Sequence, residues 1–273
     1  MHWYDDGERL LRYSIRHGAG PWLVLIHEMG GSIESWDGVL AHLPPGAGVV
    51  VPEMRGMGRS ERIARPPELA ELAADVAGLL DHLAIPGPVV VAGCAVGGAV
   101  ALRFALDFPD RCAGVAPLGP AMEVAEPARA AVLALADRMQ REGMRAVEPA
   151  LLDRTYPQVY RDRNPGLFAR VRGLWRANDP LSFASYFRML AATDLGPEIA
   201  AISCPCIFAA GRLDALRPPA YVRAAAGRVP GATFRELDAG HHIADHAPAE
   251  VTGLLTELLA TVAGSTPARE IRA

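Results

Sequence analysis

The chain has 273 residues, and its 27 basic against 31 acidic residues give a net charge of −4, which is not the balance of a nucleic-acid-binding protein. All 27 basic residues are arginine, so the sequence excludes a lysine Schiff base, a pyridoxal-dependent mechanism and a Walker-type phosphate loop. Hydrophobic residues make up 51% of the chain, which is enough to bury the core of one domain.

The sequence predicts a cytoplasmic protein with neither a membrane nor a nucleic acid as partner. Residues 1–8 are acidic rather than cationic and precede no apolar run, which predicts that there is no secretory signal. Residues 83–102 carry no charge, but their prolines and glycines fit a strand, a tight turn and a helix better than a membrane span. The cysteines lack metal-ligand spacing, so we expect reduced thiols. They are Cys94, Cys112, Cys204 and Cys206.

Residues 9–16 and 21–27 are the first predicted elements. They are expected to form an antiparallel hairpin at the edge of a sheet, because the turn between them is His17-Gly18-Ala19-Gly20.

Short apolar runs then alternate with helical patterns along most of the chain. Continuous runs of this kind are typical of strands buried on both faces. They cover residues 22–26, 49–51, 89–92, 113–118 and 207–210, and a further strand-like run covers 233–237. Apolar residues recur at helical spacing over 69–83 and 251–262. This alternation predicts an α/β fold with a mostly parallel sheet and right-handed crossovers.

The alternation breaks between residues 121 and 196, where no β-rich run appears. We predict an inserted cap of about four helices at 121–196, with a core domain formed by 1–120 and 197–273. The cap holds 11 of the 27 arginines. Either all of these are solvated on its surface, or one of them reaches the pocket and binds an anion. The candidates for substrate contact in the cap are Arg172, Arg176, Arg188 and Trp175.

The segment Gly93-Cys94-Ala95-Val96-Gly97-Gly98 stands between a predicted strand and a predicted helix. Small residues around a nucleophile at such a junction are typical of a nucleophile elbow, which lifts one side chain above the sheet. We predict that Cys94 is that nucleophile, because the helix N-terminus favours a thiolate. The alternative is that Cys94 is a small buried apolar residue.

A nucleophile of this kind needs a base and a carboxylate that orients the base. Asp214 lies just beyond the carboxyl end of a predicted strand, and His241 lies in the loop before the last helix. We predict that these two residues complete a catalytic triad with Cys94. His242 and Asp238 are the weaker candidates for base and acid.

In the order of these residues and in two further motifs, the chain resembles the α/β-hydrolase superfamily. His27-Glu28-Met29-Gly30-Gly31-Ser32 is similar to the oxyanion loop of the family, and Arg55-Gly56-Met57-Gly58-Arg59-Ser60 is similar to its Arg-Gly-x-Gly-x-Ser turn. The resemblance covers nearly the whole chain and is greatest to 3-oxoadipate enol-lactonase-like hydrolases. It implies an eight-stranded sheet, no cofactor, and an oxyanion hole formed by the backbone N–H groups of Met29 and Ala95.

Two positions depart from the family pattern. Cys94 stands where most members have serine, and a thiolate suits activated acyl carbons such as enol esters, lactones and thioesters. Glu28 replaces the glycine that usually follows the histidine of the oxyanion loop. We expect its side chain to point away from the pocket; the alternative is an inward carboxylate that contacts substrate or acts as an additional acid or base.

The resulting hypothesis is a cofactor-free hydrolase that cleaves a small activated ester or lactone, carboxylated or not, through an acyl-cysteine intermediate. Three alternatives stay open: a carbon–carbon bond hydrolase of a vinylogous diketone, an acyltransferase, and a ligand-binding receptor without turnover. The expected partner is a small-molecule substrate, and the sequence leaves open whether the chain forms a homo-oligomer.

Overall fold

A computed structural model describes residues 1–265 and contains one sheet of eight strands in the order β1-β2-β4-β3-β5-β6-β7-β8. Six of the strands, from β3 onward, are parallel to one another. The strands are β1 His2–Asp5, β2 Leu10–Arg16, β3 Trp22–Ile26, β4 Gly48–Pro52, β5 Val89–Cys94, β6 Cys112–Leu118, β7 Ile207–Gly211 and β8 Thr233–Leu237. The predicted mostly parallel α/β sheet is therefore confirmed.

The predicted hairpin between residues 9–16 and 21–27 is wrong. β2 pairs antiparallel with β1 on one side and with β4 on the other, so β4 separates it from β3. The predicted turn passes close to the backbone that precedes β4 and does not form a hairpin. A Cβ atom at Gly18 would lie 2.3 Å from the backbone of Gly46 and Gly48, and the Ala19 N–H donates to the Gly46 carbonyl at 3.2 Å.

Twelve α-helices accompany the sheet within residues 1–265. They are α1 Asp37–His42, α2 Leu69–His82, α3 Val96–Asp107, α4 Glu126–Glu142, α5 Met144–Val147, α6 Leu152–Thr155, α7 Gln158–Arg163, α8 Pro165–Ala177, α9 Pro180–Ala192, α10 Pro219–Ala226, α11 Ile243–His246 and α12 Pro248–Ser265.

Helices cover both faces of the sheet. Alternate residues of β3 belong to two separate apolar clusters: Val24 and Ile26 pack with α2 and α3, whereas Leu23 and Leu25 pack with α1 and α12. This division follows from the two-residue period of a strand. It explains why the strand sequences read as continuous apolar runs.

The uncharged stretch at 83–102 holds the strand, turn and helix that its prolines and glycines predict. It runs from the end of α2 through β5 into α3. Within residues 1–265, none of the helices combines the length and the apolar character that crossing a bilayer requires.

Six helices, α4 to α9, lie between β6 and β7, where the sequence predicts about four. The difference comes from α5, α6 and α7, which have four to six residues each. Segments this short present too little periodicity to be recognised from sequence.

The contact between α3 and β3 depends on Gly97. A Cβ atom at this position would lie 2.3 Å from the Ile26 carbonyl oxygen and 2.4 Å from that of His27. Gly97→Ala should therefore lower the free energy of unfolding by roughly 1–3 kcal/mol through overpacking. Gly173 in α8 has open space at the Cβ position. Gly173→Ala should raise stability by about 0.5–1 kcal/mol. Urea denaturation of both variants measures the difference, and equal effects would contradict this close approach.

Candidate active site

The sharp turn between β5 and α3 is centred on Ala95. Its backbone has φ 51° and ψ −112°, a conformation that is rare for a residue with a side chain. Glycines two positions away on each side make the turn sterically feasible, since a Cβ atom at Gly93 would lie 2.1 Å from the Gly97 carbonyl oxygen. Ala95 lines a cavity of the described chain. The elbow therefore presents a methyl group.

Cys94 does not face this cavity, so the prediction that it is the nucleophile is wrong. Its side chain is 1% exposed and belongs to the apolar cluster on the α1 and α12 side of the sheet. Burial, together with the nearby charge of Glu28, raises the pKa of the Cys94 thiol well above its ordinary value. Neighbouring side chains of a strand point to opposite faces, so an error of one position exchanges a residue that lines the cavity for one packed on the other face of the sheet. Ala95 is the residue two positions from both Gly93 and Gly97, so the spacing of these glycines identifies it as the elbow residue.

His241 and Asp214 are brought together as predicted. The His241 Nδ1 lies 2.7 Å from the Asp214 Oδ2, and His241 lines the cavity. Asp214 Oδ1 accepts hydrogen bonds from the N–H groups of Leu216 at 2.8 Å and Arg217 at 2.9 Å. Although burial opposes its charge, the attraction of His241 and these hydrogen bonds lower the pKa of Asp214. The carboxylate is therefore ionised at neutral pH and fixes the imidazole.

A contact from the helices between β6 and β7 holds the loop that carries His241. The His241 N–H donates to the carbonyl of Thr155, at the end of α6, at 3.2 Å.

The two backbone N–H groups that are predicted to form an oxyanion hole have different environments. The Ala95 N–H donates to the Leu118 carbonyl at 2.9 Å and is not free. Val96 is the first residue of α3, so its N–H has no acceptor within the helix. Met29 and Val96 both line the cavity. Val96 therefore replaces Ala95 as the candidate second donor, which is the same one-residue shift as that from Cys94 to Ala95.

Glu28 points inward, contrary to our expectation. Its side chain is buried beside the cavity, and its Oε1 accepts a hydrogen bond from the Ser35 hydroxyl at 2.9 Å. Gly31 makes room for it, since a Cβ atom there would lie 2.5 Å from that oxygen. Burial opposes the charge, but attraction from His242, with a contribution from His27, lowers the pKa of Glu28.

The cavity has a volume of about 350 Å³ and a mostly apolar wall. Trp175 lines it as predicted. The apolar residues of its wall in the region of α4 to α9 include Val124, Val132, Leu135, Leu151, Phe183, Phe187 and Leu190. Two arginines that the sequence analysis did not single out, Arg154 and Arg217, also line it. No spacing rule distinguishes these two from the other arginines.

The three predicted cap arginines do not line the cavity. Arg172 and Arg176 both form ion pairs with Glu148, and Arg188 pairs with Asp137 at 2.8 Å. Their guanidinium groups are paired with carboxylates of the protein, and the structure places none of the three at the cavity.

The two weaker candidates for base and acid have distinct environments. Asp238 pairs with Arg212 at 2.7 Å on the surface and accepts from the Tyr160 hydroxyl at 3.0 Å. His242 is buried beside the cavity, and its Nε2 lies 3.2 Å from the Thr155 hydroxyl. Among residues 1–265, no group of three or more His, Cys, Asp or Glu side chains is arranged to hold a metal ion. The absence of a cofactor stays a prediction.

Comparison with known proteins places these features in a family. Residues 21–248 match the model of the alpha/beta hydrolase fold family. The chain is 24% identical over 221 residues to 3-oxoadipate enol-lactonase 2 of Acinetobacter baylyi, covering 81% of this chain and 82% of that protein. It is 32% identical over 257 residues to the magnesium-chelatase 30 kDa subunit of Rhodobacter capsulatus, covering 88% and 87%. The crystal structure of the enol-lactonase from Burkholderia xenovorans LB400 superposes with a TM-score of 0.89 at 29% identity, covering 95% of this chain and all of that one.

The placement of the cysteines can be tested by alkylation. In the native protein, iodoacetamide should label Cys204, which is partly exposed and whose pKa is lowered by a hydrogen bond from Cys112. Cys94 should be labelled only after unfolding, because its thiol is buried and neutral. Peptide mass spectrometry reads both sites. Labelling of Cys94 at the rate of Cys204 in native protein would restore it as a candidate nucleophile.

Proposed function

The chain belongs to the alpha/beta hydrolase fold family, and from this premise we propose that it hydrolyses a small activated ester or lactone by general-base catalysis. The observation that carries the proposal is the His241–Asp214 hydrogen bond, which faces a cavity where the elbow residue, Ala95, has no nucleophilic atom. His241 is still paired with Asp214 although the elbow residue has no hydroxyl or thiol for it to deprotonate. It is therefore suited to activating water.

In the proposed reaction, water attacks the acyl carbon directly. His241 takes the proton of the water, and Asp214 holds the imidazole tautomer and stabilises the imidazolium. The N–H groups of Met29 and Val96 bind the developing oxyanion, a contribution of roughly 2.7–4 kcal/mol per donor. The carbon–oxygen bond to the leaving group then breaks, and acid and alcohol form without a covalent intermediate.

The missing nucleophile restricts the substrate class. In serine proteases that lack a member of the triad, the oxyanion hole and binding alone retain about 10³–10⁴-fold catalysis over water. An acceleration of that size is useful for acyl carbons that are already activated, such as those of enol esters, lactones and thioesters. Similarity to proteins named enol-lactonases supports the same class.

The helices between β6 and β7 supply much of the substrate-facing wall. Val132 of α4 and Phe183 of α9 line the cavity opposite Met29, Ala95 and His241 of the remaining chain. We therefore propose that residues 121–196 act as a cap that determines acyl specificity. Its apolar lining favours an aliphatic or aromatic acyl group.

A second candidate function is ligand binding without turnover. The methyl group at Ala95 favours it directly, and so does the 32% identity to a protein named as a subunit of magnesium chelatase rather than as a hydrolase. In this case the cavity binds a ligand and the His241–Asp214 pair serves as a hydrogen-bonding group.

Hydrolysis of p-nitrophenyl acetate separates these functions. The wild-type protein should turn over without a burst and without an acetylated peptide. Cys94→Ala should change kcat by less than about twofold, whereas His241→Gln should lower it by about 100-fold or more because the base is lost. A burst with an adduct on Cys94 would contradict the direct attack of water. Saturable binding without turnover would favour the ligand-binding function.

Ala95→Ser tests the elbow from the opposite direction. A hydroxyl at this position should lie within reach of His241 and convert the reaction to two-step acyl transfer, with a burst, an acyl adduct on the new hydroxyl and kcat raised by about tenfold or more. Cys94→Ser is the matched control and should produce neither burst nor adduct. If both variants behave alike, the assignment of the elbow to Ala95 is wrong.

A further inference from the structure

A second histidine–carboxylate group lies beside the His241–Asp214 pair and is not used in the reaction proposed above. His242 is 5% exposed, and its Nδ1 lies 3.6 Å from the Glu28 Oε1 and 4.0 Å from the Asp245 Oδ2. This Nδ1 is buried and has no hydrogen-bond partner within the described chain. A buried imidazole nitrogen between two carboxylates is a place where a proton is stabilised.

The group is connected to the cavity through the other nitrogen of the ring. The His242 Nε2 lies 3.2 Å from the Thr155 Oγ1, and Thr155, His242 and Glu28 all line the same cavity as His241. The Thr155 hydroxyl donates to the Leu152 carbonyl at 3.2 Å, so it can accept the Nε2–H of His242. Thr155 therefore links the buried imidazole to the substrate space.

The two carboxyl groups beside His242 differ in their pKa. Attraction from His242 lowers the pKa of Glu28 despite its burial. Asp245 has the opposite shift: burial and the charge of Glu28 raise its pKa to about 7. Arg170 and Asp37 also act on Asp245, with opposing signs. Two carboxyl groups this close do not both ionise easily, so near neutral pH this group of side chains holds a proton next to the ring.

The neighbouring rings fix the position of His242 without competing for its proton. Tyr156 lies 5.1 Å from it and His246 lies 6.2 Å from it, measured between ring centroids. Burial lowers the pKa of His246 to about 2, and its Nδ1 accepts from the Gly240 N–H at 3.0 Å, so that ring is neutral.

We propose that His242 is the proton donor of the reaction and delivers the Nε2 proton through the Thr155 hydroxyl to the leaving-group oxygen, with Glu28 and Asp245 as positioning residues. The proposal rests on the general-base function of His241. The ring centroids of His241 and His242 are 6.3 Å apart, which places the two groups at different points of the same cavity.

The step balances as follows. The carbon–oxygen bond breaks and its electron pair goes to the leaving oxygen, which takes the hydroxyl proton of Thr155 after this hydroxyl turns away from the Leu152 carbonyl. The Thr155 oxygen takes the Nε2 proton of His242, which becomes neutral. His241 holds the proton removed from water and releases it to solvent, from which His242 is protonated again.

A series of substituted phenyl acetates tests the proposal, because p-nitrophenolate departs without a proton whereas unsubstituted phenolate benefits from one. For the wild type, kcat should depend little on the basicity of the leaving group. His242→Gln should lower kcat for phenyl acetate by about 100-fold and for p-nitrophenyl acetate by no more than about threefold. The slope of log kcat against leaving-group pKa should therefore steepen.

A matched pair of variants tests the relay. Thr155→Val is isosteric and removes the hydroxyl, so it should steepen the slope as His242→Gln does. Thr155→Ser keeps the hydroxyl and should restore the wild-type slope.

The outcomes separate the two proposals. An equal loss on all esters, or an unchanged slope, would show that His242 is only structural and would overturn the inference while leaving His241 as the base. Thr155→Ser behaving like Thr155→Val would overturn the relay. No turnover of any ester by the wild type would contradict the proposed function itself, and the inference with it.

Discussion

The tight approach of α3 to β3 and β5 is the constraint on which the cavity depends. Gly93 and Gly97 are in contact with backbone where a side chain would not fit, and Ala95 is held between them in a strained conformation that costs about 1–3 kcal/mol. In return, Val96, the first residue of α3, lines the same cavity as Met29. The turn therefore places the first residue of α3 at the cavity whether or not it carries a nucleophile.

The adjacent residues His241 and His242 have different surroundings. His241 is paired with the ionised Asp214, whereas His242 lies between Glu28 and Asp245 in a buried polar group. The negative charge of Glu28 near the Met29 N–H opposes a second negative charge on the substrate oxygen. The departure from glycine at position 28 is accommodated sterically by Gly31.

Local sequence patterns predicted the elements that repeat along the chain and failed where the outcome depends on distant contacts. Five buried strands and the His241–Asp214 pair follow from apolar runs and from the order of motifs. The pairing of β2 with β4 does not, because the two are distant in sequence and the intervening glycines resemble a hairpin turn. The nucleophile prediction followed the most reactive side chain of the elbow rather than the spacing of its glycines, and so fell one residue short of Ala95. The ion pairs of Arg172 and Arg176 with Glu148 join separate helices, which periodicity within one helix does not reveal.

Because the His241 N–H donates to the Thr155 carbonyl, two separate parts of the chain hold the base in position. The loop after β8 supplies the imidazole, and the segment between β6 and β7 supplies the backbone acceptor that steadies it. Because α6 is joined by a backbone hydrogen bond to the loop that carries His241, a shift of α6 would also move that loop.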